Sequence, residues 1–96
     1  MNTENKRRRA LVTGGSGGIG AAICERLAAD GHHVIVHANR GVEKAQALAE
    51  KIRAAGGSAE AVSFDITDRA ATAAALEALV EVAPIQILVN NAGIHD

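Results

Sequence analysis

Apolar positions along the chain alternate between two periods. Residues 10–12, Ala10-Leu11-Val12, form a short apolar run that stops at a glycine cluster. From 19 to 30 the spacing becomes helical, with Ile19, Ala22, Ile23 and Leu27 on one face. Gly31 follows, where a left-handed residue ends a helix. Residues 33–38 hold Val34-Ile35-Val36, a β-branched run suited to a buried parallel strand.

The alternation then repeats. Residues 42–55 predict a second helix, its dry stripe made of Ala45, Leu48, Ala49 and Ile52. Its wet side carries Glu43, Lys44, Glu50, Lys51 and Arg53. Gly56-Gly57 breaks it, and residues 59–64 read as a third strand. Thr67 is the expected N-cap of a third helix that runs to about 81, with Ala73, Leu76 and Val80 inward. Pro84 ends that segment, and residues 85–89 predict a fourth strand.

A βαβαβαβ order with short connections implies a parallel sheet with right-handed crossovers. The expected fold is α/β, a doubly wound parallel sheet of order 3-2-1-4. The chain has no linker, repeat or low-complexity tract, so residues 1–96 are expected to act as one unit.

Composition narrows the function classes. Apolar residues make up 48% of the chain, with one Phe and neither Tyr nor Trp, so Ala, Val, Ile and Leu must build the core. A net charge of −1 offers no global attraction to nucleic acid or to a membrane surface. The basic run Lys6-Arg7-Arg8-Arg9 reads as a solvated arm leading into the first strand. The one cysteine, Cys24, excludes an internal disulfide and reads as a small packed residue. No run has signal-peptide or membrane-spanning character, so a cytoplasmic location is expected. His32, His33, His37 and His95 have no carboxylate or thiol partners at ligand spacing, and no metal is expected.

The chemistry concentrates in Thr13-Gly14-Gly15-Ser16-Gly17-Gly18-Ile19-Gly20, between the first strand and the first helix. Unpaired amides and the partial positive charge of a helix N-terminus favour phosphate there. Glycines let the backbone turn tightly and approach a pyrophosphate. Gly15, Gly17 and Gly20 match the general dinucleotide fingerprint GxGxxG, and no Gly-Lys-Ser/Thr follows to suggest a nucleoside-triphosphate loop.

Thr13, Gly14, Gly18 and Gly20 also fit TGxxxGxG. Together with Asn90-Asn91-Ala92-Gly93 after the fourth strand and Asp65-Ile66 after the third, this pattern resembles the short-chain dehydrogenase/reductase family. Within it the chain looks most like 3-oxoacyl-[acyl-carrier-protein] reductases, which would place it in fatty acid biosynthesis. The resemblance implies a Rossmann-type fold and a bound nicotinamide dinucleotide. Gly14, Ser16, Gly17, Gly18, Ile19 and Gly20 would then line the pyrophosphate and its ribose. Asp65 would accept from the adenine amino group with the Ile66 backbone beside it, and Asn90, Ala92 and Gly93 would border the adenosine side.

The end of the second strand bears on the choice between cofactors. An NAD-preferring site places an acid there to hold the ribose 2′-hydroxyl. This chain has Ala38-Asn39-Arg40 instead. Arg40 resembles the arginine of NADP-dependent relatives, whose guanidinium can grip a phosphate, and Asn39 can donate from its amide. NADP(H) is the expected cofactor. Gly17 departs from relatives that carry a second basic residue at this place.

The family's catalytic Ser, Tyr and Lys follow the Asn-Asn-Ala-Gly motif, and this chain contains no Tyr. The expectation is therefore the cofactor-binding half of an NADPH-dependent carbonyl reductase, with no catalytic residue of its own. The alternative is a stand-alone, non-catalytic dinucleotide-binding module. A fourth strand left as an edge further predicts association with another chain, and the resemblance implies a homo-oligomeric, tetrameric parent.

Overall fold

The computed structural model describes residues 7–91. Its elements alternate as the hydrophobic pattern requires: β1 (Arg9–Thr13), α1 (Gly18–Ala29), β2 (His33–Ala38), α2 (Val42–Ala54), β3 (Ser58–Ser63), α3 (Arg69–Val82) and β4 (Ile87–Asn90). The four strands form one parallel sheet in the order β3-β2-β1-β4.

Strand alternation sorts the core into two layers. Val12, Val34, Val36, Ala38 and Ala59 pack against α1 and α2, with Cys24, Ala45, Leu48, Ala49 and Ile52 contributed by the helices. Leu11 and Ile35 face the other way, onto Leu79 of α3 with Leu76, Val62 and Ile85 around it. Val34, Ile35 and Val36 are fully buried, as expected of a central parallel strand covered on both sides. The stripe expected for α2 is also the one observed.

The other two helices differ from the sequence pattern. In α1 the buried residues are Gly20 and Cys24, and Ile19 is 67% exposed, with Ala22 also at the surface. The small side lies against the sheet because Gly20 brings the helix close, which rotates Ile19 outward. In α3 the inward residue is Leu79, whereas Val80 and Ala73 face outward. An Ala-rich helix has little periodic contrast, so its facing is set by the sheet and not by its own pattern.

Helix ends show the same division. Both α1 and α2 close with a left-handed glycine. Gly31 (φ 96°) and Gly56 (φ 95°) each follow the C-cap. His32 and Gly57 N–H donate back to the carbonyls of Leu27 and Ile52, a pattern that satisfies otherwise unpaired carbonyls. The N-cap of α3 is Asp68, not Thr67. The Asp68 carboxylate accepts from Ala71 N–H at 3.0 Å, while Thr67 is held by Asp65. β4 begins at Ile87, two positions later than the apolar run suggests, because Gln86 takes the Arg9 N–H on its side-chain oxygen before the ladder starts.

Arg9 also overturns its reading as part of a solvated arm. Its guanidinium donates to the carbonyls of Leu79 and Ala83 at the end of α3, a helix with no basic residue in its last turn. A cation at a helix C-terminus offsets the dipole there, so β1 supplies what α3 lacks. Arg7 and Arg8 are exposed.

Candidate functional site: a glycine cradle at the sheet's C-terminal edge

The carboxyl ends of β1, β2, β3 and β4 converge on the segment joining β1 to α1. Gly14 has φ 63°, a conformation that L side chains rarely adopt. Gly15 and Gly20 are glycine for lack of room. A Cβ on Gly15 would meet Cys24 Sγ and Val12 O at 2.9 Å, and one on Gly20 would meet Gly14 O at 2.4 Å. Gly17 and Gly18 are different: a Cβ on either would meet no protein atom within 4 Å. The fold itself does not demand a glycine at these two positions.

That open pair sits at the start of α1. Gly17 is the N-cap and offers no side-chain cap. The first helical bond runs from Ala21 N–H to Gly17 O. The amides of Gly18, Ile19 and Gly20 therefore precede the ladder, and the first turn contains no acidic residue to repel an anion. Ser16 is half-buried in the turn, and Ile19 is exposed beside it. Cys24 packs beneath with its thiol toward Gly15 O at 3.7 Å. Burial first, then the neighbouring Glu25 charge, pushes that thiol up to about 12.

The second wall is the end of β3. Asp65 Oδ1 accepts from both the N–H (2.9 Å) and the hydroxyl (2.7 Å) of Thr67. These bonds, with Asn39 and the nearby Arg40 charge, hold the carboxyl below the usual carboxylate range. Asp65 is thus both the turn-former and an exposed carboxylate whose other oxygen takes no part in the turn. Ile66 N–H donates to Asn39 Oδ1 at 2.8 Å, and the Asn39 NH2 is turned toward Asp65. Arg40 is exposed and makes no hydrogen bond or ion pair among the described residues.

The third wall is the end of β4. The Thr13 hydroxyl lies 3.2 Å from Asn90 Oδ1 and 3.3 Å from Val89 O, tying β1 to β4. Asn91 Nδ2 donates to Gly14 O at 3.0 Å. Ala92 and Gly93 lie outside the described residues. A shallow hollow of about 180 Å³, lined by Thr13, Phe64, Ile66, Thr72, Leu76 and Asn90 among others, opens beside this wall. The larger cleft, about 550 Å³, lies at the opposite ends of α1 and α2, where Lys51 and Glu25 pair at 3.0 Å, and includes none of the loop residues. The glycine cradle is the candidate site because its amides precede the helix ladder and the exposed Arg40 follows the neighbouring strand β2.

One contributor, His37, carried no functional signal in the sequence, and another, Asn91, was marked there only as part of the Asn-Asn-Ala-Gly motif. Asn91 serves as an anchor for the glycine loop rather than as loose strand-end chemistry. His37, one of four scattered histidines, is fully buried directly under the loop. Its position inside a β-branched strand was the only sign that it faces the core.

With this geometry the comparisons are consistent. The chain belongs to the short chain dehydrogenase family, whose model matches residues 8–96. It is 47% identical over 94 residues to the uncharacterized oxidoreductase YuxG of Bacillus subtilis (strain 168), covering 95% of this chain and 14% of that protein. Among solved structures it resembles a metagenomic short-chain oxidoreductase in complex with NADP (41% identity, TM-score 0.85, 91% of this chain and 39% of that one). It also resembles a 3-oxoacyl (acyl-carrier-protein) reductase from Agrobacterium tumefaciens C58 with NADP bound (42% identity, TM-score 0.81, 93% and 34%). The chain thus spans well under half the length of each. No helix among the described residues is long and apolar enough to cross a membrane.

Proposed function

We propose that this chain forms the NADP(H)-binding part of a carbonyl reductase, with 3-oxoacyl thioesters of acyl-carrier protein as the substrate class. The observation that carries the reading is the pairing of an open glycine cradle with an unpaired Arg40 at the end of β2, where an NAD site would hold an acid. The residues fit the cofactor. Gly17 and Gly18 leave the room a pyrophosphate needs, and the amides of Gly18, Ile19 and Gly20 offer it donors. Arg40 and the Asn39 amide would take the 2′-phosphate. Asp65 would accept from the adenine amino group, held ionised by the Thr67 bonds. Asn90, Ala92 and Gly93 would border the adenosine side.

When bound, the reduced cofactor supplies hydride to the carbonyl. This chain's residues bind and orient it, and the proton donor is expected from a Tyr further along a longer protein, since no Tyr is present here. The carbonyl-reductase reading rests on the likeness to reductases; the cofactor reading rests on the site.

Calorimetric affinities for NADPH and NADH test the assignment. The wild-type chain is expected to prefer NADPH, and Arg40→Ala to cut that preference by about 10- to 150-fold, the equivalent of one charge-assisted hydrogen bond. An unchanged preference in Arg40→Ala, or no binding of either cofactor by folded wild-type chain, overturns it.

A further inference from the structure

We propose that His37 is a positioning residue of the dinucleotide site, holding the first peptide of the glycine loop through an imidazole kept as the neutral Nε2–H tautomer. The inference rests on the dinucleotide-binding reading above and adds to it a residue and a protonation state.

The tautomer follows from the partners. Gly14 N–H, which can only donate, lies 3.0 Å from His37 Nδ1, so Nδ1 accepts. Phe64 O, which can only accept, lies 2.8 Å from Nε2, so Nε2 carries the hydrogen. The ring is fully buried and stacked at a tilt on Phe64, with centroids 4.3 Å apart. Both nitrogens are therefore committed in a place where an unmatched polar atom is costly.

What the ring holds is the cradle. His37 also accepts Gly15 N–H on its own carbonyl at 2.8 Å. Asn91 donates to Gly14 O at 3.0 Å, so this second peptide, Gly14–Gly15, is held at both its oxygen and its N–H. The Gly14 carbonyl is the surface on which Gly20 rests, so close that a Cβ there would sit at 2.4 Å. Releasing Gly14 N–H frees the Thr13–Gly14 peptide, the neighbour of the peptide whose carbonyl supports the first turn of α1. At its other end the same ring anchors Phe64 O, next to Asp65. One side chain thus spans the pyrophosphate wall and the adenine wall.

A second ring proton would set an N–H against the Gly14 N–H. The charged groups on the surrounding elements do not offer this proton a partner. Asp65 is turned to Thr67, Asp68 caps Ala71, and Glu60 pairs with His33 and Arg9 at the far end of the strands. Arg40 and Arg69 are cations. β1 and β4 present Thr13, Asn90 and Asn91, which are neutral. The surroundings thus favour the neutral ring that the two hydrogen bonds require.

Two measurements on the full 96-residue chain decide the matter. Long-range ¹⁵N–¹H spectra of the wild type at pH 7.5 are expected to show His37 as Nε2–H; the other neutral tautomer, or an imidazolium, overturns the proposal. NADP+ affinity is then compared for three variants. His37→Asn puts an amide oxygen where Nδ1 stands and is expected to stay near wild type at pH 7.5. His37→Gln, which can reach only Phe64 O, and His37→Leu are expected to lose about tenfold, the loss of roughly one hydrogen bond. Equal losses in all three variants would mark a packing role only and overturn the proposal, as would a folded His37→Leu chain with undiminished affinity. Failure of the wild type to bind NADP+ would instead sink the cofactor assignment, whatever the tautomer.

Discussion

Asp65 turns one carboxylate oxygen onto the backbone and hydroxyl of Thr67, and this bond pair, more than any charge, holds its pKa below the usual carboxylate range. A carboxyl whose folded value is depressed contributes stability that is full above its unfolded value and is lost as pH falls through the folded one. The turn after β3 should therefore hold at neutral pH and open only in acid below the ordinary carboxylate range. Thr67→Val is expected to raise the Asp65 value toward normal in a ¹³C carboxyl titration; an unmoved titration would mean that the Thr67 hydroxyl is not the cause. The sequence pattern marks Thr67 as a helix cap and not as a partner of Asp65; the turn that joins the two appears only in the folded chain. Arg9 was legible only as a charge. Its acceptors are the end of α3, distant in sequence, and no local pattern announces them.

At the scale of elements, the loop glycines divide by what surrounds them. Gly20 packs against Gly14 O, and Gly20→Ala is expected to destabilise the chain by at least the ~1–3 kcal/mol typical of overpacking, because the obstacle is backbone. Gly17→Ala meets nothing and should leave stability within about 0.5 kcal/mol while still weakening NADP+ binding. Urea denaturation and calorimetry on the two variants separate the roles. Equal destabilisation by both would mean that the loop's glycines serve the fold alone. The fingerprint as a string cannot make this distinction, since Gly15, Gly17 and Gly20 look alike in it. α2 was fully legible because its stripe of Ala45, Leu48, Ala49 and Ile52 contrasts with charged neighbours, whereas α3 is too rich in alanine to show which side is dry and α1 is turned by the close approach of Gly20.

For the whole molecule, the layer on the α3 side is the thinner one. Leu88 is 66% exposed on β4, and Val80 and Val82 of α3 lie open as well. β4 pairs only with β1 among the described residues. Exposed apolar surface beside an unpaired strand edge favours association. The isolated chain is expected to show a thermal midpoint that rises with protein concentration, and Leu88→Lys to reduce that dependence. A concentration-independent midpoint, with a monomer in sedimentation, would show that this side is stable when left uncovered.

The residue pattern is enough for the order of elements, the parallel doubly wound sheet, the helix-ending glycines and the place of the glycine loop. Each is written in local periodicity or in short motifs whose backbone demands are met by nearest neighbours. The assembled sheet was needed to show which sides of α1 and α3 are buried, that Asp68 caps α3, that Arg9 closes it, and that His37 and Asn91 hold the two peptides on either side of the Gly14 Cα. These depend on strands that meet across the sheet, and a hydrogen bond between distant residues has no signature until the chain has brought its two ends within reach.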